Sequence, residues 1–146
     1  MSSKYPSVTC YCPIYKGGQF IEGYMEDVLS QTIFKEVNFF ILDCNSPDNE
    51  AEVINKYTNH SNISYLRLDE DPGLYGAWNV CIKNTQSDLV TNWNVDDRKS
   101  PWSLEVMRDS LVLNQHIDVV YGPTIISHTA NENWTNLQSK ELYICN

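Results

Sequence analysis

Apolar positions along this chain switch period several times, and each switch marks a predicted element. Ser7 to Ile14 reads as a first strand. Gly18 to Gln31 carries Phe20, Ile21, Tyr24, Val28 and Leu29 at helical spacing. Val37 to Leu42 follows, and its unbroken apolar run Phe39-Phe40-Ile41-Leu42 fits a strand buried on both faces. After Asp43, Ser46 and Pro47 predict a helix start, Ser46 as N-cap and Pro47 at the first helical position, with Val53, Ile54 and Tyr57 as its apolar stripe. Ile63 to Leu68 is a third strand, and Asp69-Glu70-Asp71-Pro72-Gly73 is a loop punctuated by Pro and Gly. Leu74 to Asn84 reads as a helix and Leu89 to Trp93 as a fourth strand. Ser100-Pro101 opens a further helix that runs to about Asn114. Asp118 to Tyr121 is expected as a fifth strand, Ser127 to Gln138 as polar loop, and Leu142 to Cys145 as a last short strand. Strands alternating with helices predict one α/β domain with a mainly parallel sheet and right-handed crossovers.

Composition narrows the function classes. The chain has 146 residues, enough for one domain with a genuine core. Its formal net charge of −9 argues against a nucleic-acid partner that needs a basic face. No apolar run approaches the roughly 20 residues of a membrane span, and Met1-Ser2-Ser3-Lys4-Tyr5-Pro6 lacks the apolar centre of a signal peptide. A cytoplasmic location is the expectation. The five cysteines, Cys10, Cys12, Cys44, Cys81 and Cys145, are odd in number and lack zinc-site spacing, so free buried thiols are expected.

Candidate chemistry gathers at strand ends. Asn94-Val95-Asp96-Asp97 closes the fourth strand with adjacent carboxylates. Open α/β sheets bind ligands in the crevice outside the carboxyl edge. Two carboxylates there repel unless a cation sits between them, and a divalent metal carrying phosphates meets that need. Pro13-Ile14-Tyr15-Lys16 and Asp43-Cys44-Asn45-Ser46 end the first two strands at the same edge. Together the three ends offer an aromatic wall, carboxylates and a metal site. Each has a plainer reading. Asp96-Asp97 could be an acidic turn before a helix, Asp43 a turn residue, and Tyr15 a packing residue. Trp78 and Trp93 read as core. Lys16, Arg67, Arg98 and Lys99 read as surface charge before phosphate contacts, and His60, His116 and His128 as solvated. Within Asp69-Glu70-Asp71 only Asp71 carries functional weight.

The stretch from Ser7 to Gly122 resembles a family 2 glycosyltransferase of the GT-A fold, a Rossmann-like three-layer sandwich with a mainly parallel sheet. The matching pieces are Val8 to Tyr15, Leu29-Ser30-Gln31-Thr32, Ile41 to Asp48, Asp71-Pro72-Gly73-Leu74-Tyr75-Gly76-Ala77-Trp78-Asn79, and Asn94-Val95-Asp96-Asp97 as the DXD-type metal motif. The resemblance implies a nucleoside diphosphate sugar donor, with uridine the base expected by family habit, and transfer of the sugar to an acceptor hydroxyl. It implies Asp96 as ligand of a divalent metal, Mn or Mg, with Asp97 close behind. Asn94 would face the ribose or the metal's waters, Asp43 the base or ribose, and Asp71 the donor. Pro13, Ile14 and Tyr15 would wall the base.

Departures from the family limit this carry-over. Cys44 stands where many members have a second acid, Gly76 replaces an Asp, and Asn94 replaces the first motif Asp. Members normally continue into a part that binds the acceptor and supplies an Asp or Glu base. Residues 1–146 are therefore read as a single donor domain whose acceptor-binding C-terminal part is missing or truncated, and no catalytic residue is assigned. The acceptor, whether glycan, lipid or protein, stays open. Apolar surface left by a missing half would favour self-association. Two alternatives remain: a nucleotide-sugar-binding module without transfer activity, and a nucleotidyltransferase-like α/β protein. The latter usually needs a glycine-rich basic loop, of which Lys16-Gly17-Gly18 is a faint echo.

Overall fold

The computed structural model describes residues 5–137. Four strands, β1 (Val8–Ile14), β2 (Val37–Asp43), β3 (Ile63–Arg67) and β4 (Leu89–Asn92), form one parallel sheet in the order β3-β2-β1-β4. The helices are α1 (Ile21–Ser30), α2 (Glu50–Ile54), α3 (Gly73–Lys83), α4 (Ser103–Leu113) and α5 (Trp134–Leu137), with a 3-10 turn at Phe34–Glu36.

Strand order and crossover hand together fix the layers. The chain steps from β1 to β2 to β3 in one direction, then reverses across the sheet to reach β4. Right-handed crossovers put α1 and α2 on one face of the sheet and α3, which makes the reversing crossover, on the other. Val8, Cys10, Cys12 and Ile14 of β1 accordingly point with Val37, Phe39 and Ile41 of β2 into a core with Ile21, Tyr24, Met25 and Val28 of α1 and Val53 and Ile54 of α2. Leu104 of α4 joins that core. On the opposite face Tyr11 and Leu42 pack with Ala77 and Cys81 of α3. The result is the expected three-layer sandwich. The reversal also creates a switch point between β1 and β4, which is where such sheets open a ligand crevice.

Several elements differ from the expectation. The helix after Ser46-Pro47 starts only at Glu50, behind an N-cap Asn49 that makes no side-chain cap bond. Ser46 braces the turn ahead of it instead, accepting the Lys16 N–H at 2.8 Å and the Asp48 N–H at 3.4 Å and donating to Glu50 Oε1 at 2.7 Å. The helix after Ser100 likewise begins at Ser103, the preceding residues forming a turn closed by Ser103 N–H to the Ser100 carbonyl at 3.1 Å. Asp118 to Tyr121 is not a strand. Val119 and Tyr121 are 76% and 89% exposed; short apolar runs form strands only with a ladder partner, and this one has none among the described residues. The polar stretch from Ser127 contains the short α5. The strand expected at Leu142 to Cys145 lies outside the described residues. Cys10, Cys12, Cys44 and Cys81 are free and buried, as the spacing predicted. No helix among the described residues is long and apolar enough to cross a membrane.

Candidate functional site

A crevice of about 600 Å³ opens at the switch point. Its walls are Pro13 to Gly17 from the end of β1, Cys44 from the end of β2, and Asn94, Val95 and Asp96 beyond β4. Asp71, Gly73, Leu74, Ala77 and Trp78, at the start of α3, close the remaining side. The volume lies in the range of small-ligand sites. Tyr15, 47% exposed, presents its ring there, and Lys16 Nζ sits 5.2 Å from that ring's centre.

A buried knot holds the β1 exit. Lys16 adopts the left-handed region at φ 55°, which turns the chain away from the sheet. Glu50, wholly buried, accepts the Gly17 N–H at 2.6 Å and the Ser46 hydroxyl at 2.7 Å, both on Oε1. Its Oε2 has no hydrogen-bond partner among the described residues. Unpaired buried N–H groups are costly, so these contacts decide where Tyr15 and Lys16 stand.

Asp43 lies behind the crevice and outside its lining. Its side chain is fully buried. Oδ1 accepts the Ser46 N–H at 2.7 Å, while Oδ2 accepts the Tyr65 hydroxyl at 2.6 Å and a bond from Arg67 Nη1. Arg67 Nη2 reaches on to the Ser46 carbonyl at 2.9 Å and Asn45 Oδ1 at 3.0 Å. Burial and the Asp43 bond push the Tyr65 phenol up to about 12. The adjacent Cys44 thiol is pushed up to about 11, first by burial and then by the charges of Asp71 and Asp43. A neutral thiol, and no carboxylate, therefore faces the crevice at this position.

The turn after β4 is braced on both sides. Asp97 N–H closes it on the Asn94 carbonyl at 3.2 Å, and Asn92 Nδ2 donates to Asn94 Oδ1 at 2.8 Å. Asn94 Nδ2 donates to Asp97 Oδ2 at 3.3 Å, and Trp93 Nε1 donates to the Asp97 carbonyl at 2.9 Å. Asp96 lines the crevice while Asp97 does not. Among the described residues no three His, Cys, Asp or Glu side chains form a closed metal cage. An open set of one or two carboxylates is what a hard cation takes when it keeps waters and carries substrate phosphates. Asp96, with Asp97 beside it, fits such a cation and does not fit a structural metal.

The family model for glycosyl transferase family 2 matches residues 9–145. This chain belongs to glycosyl transferase family 2. It is 28% identical over 151 residues to the glycosyltransferase AglE of Haloferax volcanii, covering 97% of this chain and 49% of AglE. It thus spans about half the length of that relative. S. aureus TarS in complex with UDP superposes with a TM-score of 0.69 at 20% identity, over 75% of this chain and 33% of TarS. The mannosyltransferase PcManGT from Pyrobaculum calidifontis, in complex with GDP-Man and Mn2+, gives a TM-score of 0.62 at 17% identity, over 70% and 31%. The architecture is that of the GT-A transferases.

Within this glycosyltransferase fold, Pro13, Ile14, Tyr15, Asp71, Asn94 and Asp96 come together around one crevice; buried Asp43 and exposed Asp97 are not part of its lining. Trp93, 1% exposed, is core, whereas Trp78 lines the crevice. Three residues of consequence escaped sequence reasoning. Glu50 was expected only within a helix, and Arg98 was read as surface charge. Asp27 went unremarked, although it interrupts the apolar stripe of α1 between Tyr24 and Val28. A carboxylate on a buried helix face requires a cation, and that is the signal that could have linked Asp27 to Arg98.

Proposed function

We propose that this chain is the donor-binding domain of a glycosyltransferase that takes a nucleoside diphosphate sugar, with uridine as base, and passes the sugar to an acceptor hydroxyl. The observation that carries the reading is the convergence of the Tyr15 loop, Cys44 and Asn94 to Asp96 on one crevice in a chain of this family. The UDP complex of TarS supports the uridine base, and the GDP-Man and Mn2+ complex of PcManGT, of the same fold, supports a nucleoside diphosphate sugar with a divalent cation.

In this reading Pro13, Ile14 and Tyr15 wall the base, and Cys44 offers it a thiol. Asp71 and Asn94 face the ribose and sugar. Asp96, with Asp97 beside it, holds a divalent cation, Mn or Mg, against the diphosphate. That cation supplies charge neutralisation to a leaving group that gains charge as the glycosidic bond breaks. Lys16 adds a cation at the crevice rim. Residues 1–146 act as one donor-binding domain.

Calorimetric titration with UDP and several UDP-sugars, with and without Mn2+, tests this directly. UDP should bind, and more tightly with Mn2+. Asp96→Ala should lower affinity in Mn2+ at least tenfold, about 1.4 kcal/mol, and leave affinity in EDTA little changed. Absence of nucleotide binding with metal present would falsify the donor-site reading.

A further inference from the structure

The turn that carries Asp96 is gripped from behind by α1. Gly23, Asp27 and Gln31 lie four residues apart and so share one ridge of that helix. Asp27, 6% exposed, meets the Arg98 guanidinium in a two-pronged ion pair, Nε to Oδ2 and Nη2 to Oδ1, each 2.8 Å. Its Oδ2 also accepts the Lys99 N–H at 2.8 Å. The Arg98 side chain is only 9% exposed. A Cβ at Gly23 would stand 2.6 Å from Arg98 Nη1 and 3.1 Å from Asn131 Oδ1. Glycine is unfavourable inside a helix, and this one leaves the space in which the guanidinium lies. Gln31 extends the grip, donating to the Ser100 carbonyl at 2.9 Å and accepting from the Leu104 N–H at 3.3 Å. On the other flank of the turn Trp93 packs against Tyr24 of α1, ring centres 5.0 Å apart.

We propose that Asp27 and Arg98 are positioning residues for the cation-binding turn: their ion pair sets the orientation in which Asp96 meets a diphosphate-bound divalent metal. The inference rests on the metal-dependent donor binding proposed above. A buried ion pair adds little net stability over apolar residues of the same volume. What it adds is direction, because the planar guanidinium fork meets a carboxylate in one geometry. Arg98 follows Asp97 directly, so that geometry is passed to the turn. Metal affinity then depends on a carboxylate of α1 that lies outside the crevice lining.

The decisive variant is the double substitution Asp27→Leu with Arg98→Met, which removes both charges together and so avoids an unpaired buried ion. UDP affinity in EDTA should match the parent. The gain in affinity on adding Mn2+ should fall about tenfold or more, as for other residues that orient metal ligands. Retention of Mn2+ in the presence of UDP, read from the free-Mn2+ paramagnetic resonance signal, should fall with it. Arg98→Lys, which keeps the charge and loses the fork, should lose the same gain. A folded double variant with the parent's full Mn2+ gain overturns the proposal. Should the double variant not fold, Gly23→Ala decides by the same titration, since it displaces the guanidinium without removing a charge, and an undiminished gain there overturns the proposal equally. A parent protein that binds UDP with no gain from Mn2+ refutes the metal reading itself, and is distinguished by appearing before any substitution is made.

Discussion

Glu50 commits one carboxylate oxygen to two partners, and those partners belong to two different strand exits. Removing it by Glu50→Ala strands the Gly17 N–H and the Ser46 hydroxyl in a buried setting, at a cost of about 2 kcal/mol. Urea denaturation should show that loss, and UDP affinity in EDTA should drop because Tyr15 and Lys16 lose their anchor. Glu50→Gln keeps an acceptor oxygen and should restore most of both. Asp43 behaves differently. Its oxygens are already taken by Ser46, Tyr65 and Arg67, so Asp43→Asn should reduce stability more than it alters nucleotide specificity, a split that denaturation and UDP titration together would reveal. The place of Asp96 in the crevice lining was legible because adjacent carboxylates at a strand end announce themselves. Asp27 and Glu50 were not, because each gains its role from a partner 71 or 33 residues away.

The start of α3 forms one wall of the crevice and is set by a local device. Gly73 sits at φ 70°, and its N–H bonds Asp71 Oδ1 at 2.8 Å. A Cβ there would meet nothing within 4 Å, so Gly73→Ala should cost only the left-handed backbone strain, about 1–2 kcal/mol. A lower urea midpoint with an unchanged slope would check this. Strands β1 to β4 were readable as strands between the turn and helix signals, α1 from helical spacing, and the start of α3 from the Pro-Gly punctuation before Leu74. The errors fell where local signals competed with tertiary demands. Ser46-Pro47 has the look of a helix start, yet the Ser46 hydroxyl is drawn to the β1 exit loop and α2 begins later. Asp118 to Tyr121 has strand composition, but composition supplies no neighbouring ladder.

At the level of the whole molecule, the buried thiols make the fold sensitive to alkali. Burial raises Cys10 and Cys81 to about 12 and Cys44 to about 11 from an ordinary value of 9.0. Each is raised on folding, so its contribution is complete below about pH 9 and lost as pH climbs through 11 to 12. The urea midpoint should therefore hold near pH 8 and fall by about pH 11. At the lower pH the four described cysteines should resist alkylation in the folded protein and react once urea unfolds it, as peptide mass spectrometry would show. The sequence by itself determined the α/β class, the alternation of β1 to β4 with α1 to α4, and the convergence of Pro13 to Tyr15 with Asn94 and Asp96 at the carboxyl edge, because hydrophobic period and strand-end chemistry are local properties. Only the tertiary structure decided that Asp43 stands behind the crevice and that Glu50 anchors its aromatic wall. It alone decided that Arg98 docks on Asp27 beneath the Asp96 turn. Those outcomes depend on which distant side chains burial forces into contact.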